Sequence, residues 1–182
     1  MELIYQNLNH LFCILLLIGR LGDVVSTYFA TPNLKLEANP LIRKFRFPFA
    51  VATIFICLVP YWNLGFGLAL MIGSYMISFM NISKLWFLKT LGEDRAFKLQ
   101  MYVAQNSNLR LPVVLSLIAC SFLAAIGVIC LLFYPRAHDW GFYFGIGFIG
   151  FAVAIHIHAV IYFRRIFKAS KTKRYQLTIE EV

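Results

Sequence analysis

Eight polar residues in this chain are spaced so that they could act together in one site: Arg20, Asp23, Thr27, Glu37, Asn39, Ser78, Asn81 and His156. Arg20, Asp23 and Thr27 recur at i, i+3 and i+7, which puts them on one face of a helix. An aspartate, a glutamate and a histidine are the side-chain types that carry general acid–base chemistry, and Asp23, Glu37 and His156 could together ligate a metal. The opposite reading is structural: Arg20 and Asp23 neutralise each other inside an apolar segment, where each ion costs at least ~2.5–3.5 kcal/mol unless paired. Glu37 and Asn39 likewise fit a well-made turn. Asn39 before Pro40 is an N-cap with proline at the first helical position, and Glu37 suits a helix N-terminus. The chain has no H-E-x-x-H, G-x-S-x-G or P-loop pattern. Nothing in the sequence requires a cofactor.

The elements that must position these residues are membrane helices. Of 182 residues, 60% are hydrophobic and 14% charged, where soluble domains carry about a quarter charged residues. The expected fold is all-α, a polytopic membrane bundle of five transmembrane helices spanning about 9–30, 48–62, 65–83, 111–134 and 140–163. It forms a single domain over 1–167, followed by a basic tail over 168–182. The first span lacks a positive n-region and runs into Arg20 and Asp23, so it reads as a retained helix rather than a signal peptide. Pro60 to Gly65 supplies a turn that divides the second span from the third.

Charge orients the bundle. With the N-terminus outside and the C-terminus cytoplasmic, fifteen Lys and Arg residues fall on the cytoplasmic side, Arg136 alone falls outside, and Arg20 is intramembrane. That is the asymmetry of the positive-inside rule. The net charge of +9 is therefore gathered beside the apolar spans. Arg43, Lys44, Arg46, Arg164, Arg165 and Lys168 mark a membrane surface that favours anionic lipids at the cytoplasmic face, and nucleic acid is not the expected partner. The four cysteines lie inside apolar runs without metal or redox spacing and read as packing residues.

Two runs, Asp23-Val24-Val25-Ser26-Thr27 and Glu37-Ala38-Asn39-Pro40-Leu41, resemble a family of small prokaryotic membrane proteins of unknown function that carries D-x-x-x-T followed by E-x-N-P-L. The resemblance covers about residues 15–65. It implies a multi-pass protein of a prokaryotic inner membrane and no reaction.

The remaining spans carry small residues on one face, the signature of close helix packing in lipid. These are Gly67, Ser74, Ser78 and Asn81 in the third span, then Pro112, Ser116, Cys120, Gly127 and Cys130 in the fourth. In the fifth they are Gly141, Gly145, Ala152, His156 and Ala159. His158 falls about 200° round the helix from His156. His156 and Asp23 both stand seven residues from the cytoplasmic ends of their spans, about 10 Å in. The expectation is a polar chamber of Asp23, Thr27, Asn81 and His156, with Ser78 in the same layer and Glu37 and Asn39 closing it below. Three functions compete for it. The first is a binding, assembly or accessory protein that holds a lipid headgroup, an ion or a partner helix, as a homo-oligomer or in a membrane complex. The second is an intramembrane enzyme acting on a lipid headgroup through Asp23, Glu37 and His156. The third is a small transporter or proton path.

Overall fold

The computed structural model describes residues 2–137 and 139–172. Six α-helices follow in order: α1 (Glu2–Ala30), α2 (Pro40–Ala52), α3 (Leu64–Leu91), α4 (Glu93–Gln105), α5 (Arg110–Phe133) and α6 (Trp140–Thr172), with a 3-10 helix over Thr53–Tyr61 between α2 and α3. Among the described residues there is no strand. The basic tail begins as the last turns of α6, and its remainder, 173–182, lies outside the described residues.

Four helices are long and apolar enough to cross a membrane: Asn7–Ala30, Leu64–Leu91, Arg110–Phe133 and Trp140–Thr172. The expectation of five such helices is corrected on this point, because the segment 48–62 is not one of them. Two prolines explain the difference. Proline has no N–H to donate and clashes with the carbonyl one turn back. Pro48 follows a break at Arg46, whose φ of 60° and ψ of −158° interrupt α2, and Pro60 closes the 3-10 segment. The α-helix therefore gives way at Thr53 to the tighter 3-10 form, which rises about 2.0 Å per residue.

Local signals elsewhere are honoured. The Asn39 side chain accepts from the Leu41 N–H at 2.9 Å and starts α2 at Pro40. Asn63 does the same for α3 through the Phe66 N–H at 3.0 Å. Gly92, at φ 78°, ends α3 and turns the chain into α4, a left-handed conformation that costs glycine little.

Direction follows from which residues meet. Going down α1, the Leu15 carbonyl meets Tyr75, Gly19 meets Ser74, Gly22 meets Ser78, and Asp23 meets Asn81, so α1 and α3 run parallel. Gly147 against Ala69 and Phe151 against Gly73 make α6 parallel to α3. Gly127 against Gly145 and Ser116 against His156 make α5 antiparallel to α6. The segment from α2 through the 3-10 helix climbs back along α1: the Tyr28 and Phe47 rings lie 5.0 Å apart, Arg20 bonds to Thr53, and the Tyr61 hydroxyl reaches His10 Nδ1 at 2.6 Å. It seats against both α1 and α3, and α3 in turn contacts α6, whose other main partner is α5.

The interfaces are built on small residues, as the one-faced stripes predict, and these meet serine, proline, backbone or the rings of Tyr75, Tyr134 and Tyr143. A Cβ added to Gly22 would stand 2.5 Å from the Ser78 hydroxyl, and one on Gly67 would stand 2.7 Å from the Pro60 ring. Large apolar side chains point outward instead: Phe55, Phe79, Phe122 and Phe133 are each at least 70% exposed. A soluble monomer seldom shows apolar patches on that scale. Lipid is the solvent that suits them, and the chain is a multi-pass helical membrane protein.

At ~1.5 Å per residue α6 is about 50 Å long, against a hydrocarbon core of about 30 Å, so it is too long to lie wholly within the core and projects from it. Amphipathic α4 packs on that projection through Met101 and Ala104 against Ile166, flanked by Phe97, Tyr162 and Phe167.

Candidate functional site

Within the membrane layer, three elements meet at one ion pair. Arg20 Nη1 donates to Asp23 Oδ2 at 3.0 Å, and Arg20 Nη2 donates to the Thr53 hydroxyl of the 3-10 helix. The Thr53 hydroxyl in turn donates to the Ala50 carbonyl at 2.6 Å. The other carboxylate oxygen, Oδ1, accepts from Asn81 Nδ2 of α3 at 3.2 Å and from Thr27 at 3.5 Å, while Asn81 Nδ2 also reaches the Thr27 hydroxyl at 3.0 Å. Every hydroxyl and amide here acts in a consistent donor or acceptor role. Of the guanidinium, only Nε is buried without a partner. The D-x-x-x-T face of α1 is thus a lock that ties α1 to α3 and to the 3-10 segment. Ser78 is buried in the same interface, against Gly22.

His156 is not part of this group. Its Nδ1 lies 3.3 Å from the Ser116 hydroxyl on α5, because the small-residue face of α6 that carries it turns toward α5. The expected chamber therefore divides into two separate polar contacts. Half-buried His158 bonds its own helix at Ala154 and stands close enough to Glu37 to favour that residue's ionised form. Asp23, Glu37 and His156 do not converge. Among the described residues no three His, Cys, Asp or Glu side chains are grouped as a metal site.

At the C-terminal ends of α1, α3 and α6, the loop 31–39 is held from two sides. Glu37 accepts the Asn39 N–H at 2.6 Å, so E-x-N-P-L builds the start of α2. Burial is the largest influence on Glu37 and raises its pKa above the usual carboxylate value, with nearby Asp23 adding to the effect. Glu93 of α4, buried, accepts the backbone N–H groups of Asn33 at 2.8 Å and Lys35 at 2.6 Å. Lys35 also pairs with Asp94 at 2.5 Å. From α6, Arg165 Nη2 donates to the Lys35 carbonyl at 2.6 Å. Thr53 and Glu93 were not among the residues expected from the sequence. Thr53 is the lone hydroxyl in the apolar run 49–59 and could have been flagged. Glu93 opens a helix after a glycine, and nothing local marks its bond across 58 residues.

The basic residues fall into two settings. Lys44, Arg46, Arg164 and Lys168 are exposed, whereas Arg43 and Arg165 are half-buried. Arg164, Lys168 and Lys171, at i, i+4 and i+7 on the projecting end of α6, line an open pocket of about 750 Å³ with Gln105, Asn106, Ser107 and Asn108 of the α4–α5 turn. Gln105 bonds the Ser170 carbonyl at 3.0 Å and fixes that turn against α6. Three cations, side-chain amides and a hydroxyl make a surface for an anion, and among the described residues no carboxylate lines it. Comparison with family models, with curated proteins and with solved structures finds no match to this chain.

Proposed function

We propose that this protein is a membrane binding or assembly protein whose cytoplasmic end holds an anionic, phosphate-bearing ligand in the pocket between the α4–α5 turn and α6. The observation that carries this reading is a contrast. The intramembrane charges are spent on one another, whereas Arg164, Lys168 and Lys171 face an open polar cavity that no carboxylate among the described residues lines. The enzymatic alternative has no comparable support, since Asp23 is engaged in the lock and His156 with Ser116. The transport alternative would need a path through that same lock.

The test is binding by the purified full-length protein, read as ligand-induced thermal stabilisation. Phosphatidylglycerol in mixed micelles and inorganic phosphate serve as separate probes. Each of Arg164→Gln, Lys168→Gln and Lys171→Gln should weaken binding roughly fivefold, from about 1 kcal/mol per cation near an anionic surface. Raised salt should weaken it further. The triple variant binding both probes like the wild type would sink the reading. A response to phosphatidylglycerol alone points to a lipid, and a response to phosphate alone to a soluble ligand.

The reading includes a topology of five crossings, N-terminus outside and C-terminus cytoplasmic, in a prokaryotic inner membrane. The prokaryotic location rests on the D-x-x-x-T and E-x-N-P-L resemblance. The crossing count is supported by the parallel course of α1 and α3, which requires the chain between them to return. The segment from Phe47 to Tyr61 passes the α1 levels of Tyr28 through His10, roughly 25 Å with the 3-10 rise. It would be a short crossing lengthened by 3-10 geometry. On a cysteine-free background, cysteines at Trp62 and Arg136 should be labelled from outside, and cysteines at Lys44 and Lys171 from inside. Labelling of positions 62 and 44 from the same side would remove the fifth crossing.

A further inference from the structure

We infer that the pocket between the α4–α5 turn and α6 takes a phosphomonoester, a terminal phosphate with two ionisable oxygens, in preference to a phosphodiester with one. The inference rests on the anion-binding reading above and names the class of anion. Arg164, Lys168 and Lys171 share one face of α6 and line the pocket together. Their Cα positions fall within about 10 Å along the helix. None of the three forms an ion pair with a carboxylate among the described residues. A phosphodiester brings a single negative charge and would leave two of the three cations uncompensated. A phosphomonoester carries about −1.5 to −2 near neutral pH and presents three strong acceptor oxygens. It therefore matches the cavity in charge and in the number of donors.

The opposite wall acts in the same direction. The α4–α5 turn leads into the N-terminus of α5, a helix of 24 residues. The positive end of a helix dipole favours an anion beside it. Asn108 accepts the Arg110 N–H with its Oδ1 at 3.0 Å, which fixes the amide and leaves its Nδ2 as a donor. The Ser107 hydroxyl lines the pocket next to it.

Helix register places the cavity at the membrane surface. Ser116 of α5 lies opposite His156 of antiparallel α6. Counting six residues back along α5 and six on along α6 sets Arg110 level with Tyr162. Arg164, Lys168 and Lys171 thus lie past the start of α5, whose length of about 36 Å is enough to cross a hydrocarbon core of about 30 Å. At that level the pocket is open to a lipid headgroup and to a soluble phosphate ester alike, and both offer the same terminal phosphate.

Binding by the full-length protein in a non-ionic detergent tests the inference, read as ligand-induced thermal stabilisation. The probes are phosphatidic acid, phosphatidylglycerol with the same acyl chains, and glycerol 3-phosphate. At about pH 8 phosphatidic acid should bind roughly tenfold more tightly than phosphatidylglycerol, because it sets about one more negative charge against the three cations. At about pH 5.5, below the second phosphate pKa of about 6, that preference should shrink to about twofold. No histidine or carboxylate among the described residues lines the pocket, so the change belongs to the proton of the ligand. Ser107→Ala should weaken phosphatidic acid binding roughly threefold through one lost hydrogen bond, with the ligand-free melting temperature unchanged. Lys44→Gln, exposed on α2 outside the pocket, should leave the preference intact.

Equal affinity for the two lipids at the higher pH, with both lost when Arg164, Lys168 and Lys171 are all changed to Gln, would overturn this inference and leave the anion pocket standing. Wild-type binding of phosphatidic acid by that triple variant would remove the pocket as well. Loss of the preference in Lys44→Gln would reduce it to diffuse surface charge and overturn it. A response to phosphatidic acid without one to glycerol 3-phosphate upholds the monoester and assigns it to a lipid. The reverse upholds it and assigns it to a soluble ligand.

Discussion

Asp23→Asn should destabilise the detergent-solubilised protein more than the double variant Arg20→Gln with Asp23→Asn does. In the native bundle the Asp23 carboxylate is the counter-ion of Arg20 and the acceptor for Asn81 and Thr27. Neutralising it strands the guanidinium, whose Nε already lacks a partner, with Thr53 alone. Breaking a buried pair in this way costs about 3–5 kcal/mol, whereas removing both charges together can be nearly neutral. The double variant keeps side chains of similar shape and should recover most of the loss. Asn81→Leu should cost less, about 1–2 kcal/mol, because it removes hydrogen bonds but no counter-ion. Thermal unfolding of the four proteins under one detergent condition gives the comparison. A single variant as stable as the wild type would mean that the lock contributes nothing. A double variant less stable than Asp23→Asn alone would mean that the two charges act independently. A double variant that is stable and still binds phosphatidylglycerol would place the ligand site outside the lock, as proposed.

Gly127→Leu should detach α5 from the bundle. A Cβ on Gly127 would stand 2.7 Å from the Gly145 carbonyl oxygen and 2.7 Å from Ile149, and the reciprocal Cβ on Gly145 would stand 2.7 Å from the Gly127 carbonyl. Backbone is on both sides of the contact, so no rotamer change relieves the clash. Overpacking of a tight interface costs about 1–3 kcal/mol for modest additions, and leucine exceeds a modest addition. The consequence is large because α5 packs chiefly on α6. Gly150→Ala is the matched control on α6: a Cβ there meets nothing within 4 Å, and alanine is favoured over glycine in a helix by up to about 1 kcal/mol. It should be neutral or stabilising. Protease sensitivity of the α5–α6 turn, together with the melting temperature, would show the difference. Equal behaviour of the two variants would mean that the close approach of α5 and α6 does not hold the bundle together.

Much of the architecture was legible in local pattern. Apolar length identified α1, α3, α5 and α6, because a spanning helix needs about 20 apolar residues whatever it packs against. Small-residue stripes foretold the faces: Ser74 and Ser78 lie against α1, and Gly127 lies against Gly145. Asn39 and Pro40 marked the start of α2, and Arg20 with Asp23 marked a pair, since i, i+3 neighbours meet on any helix. The turn at Pro60 to Gly65 within a long apolar stretch, together with the charge asymmetry, suggested a fifth helix over 48–62. The prolines that broke it were visible, but its packing as a 3-10 helix against α1 and α3 was not.

The grouping of the polar residues was decided only by the tertiary structure. Depth in the membrane follows from counting residues, which is why Asp23 and His156 were placed in one layer. Which neighbour each faces depends on how the helices are rotated and arranged in the layer, and that is set by the fit of all the interfaces together. His156 thus went to Ser116 rather than to Asp23, and Thr53 entered the lock from a segment read only as a span. The clasp of Glu93 on the loop 31–39, and the bond from Arg165 to the Lys35 carbonyl, join residues distant in sequence. Such contacts are made by chain return and packing, for which local periodicity carries no signal.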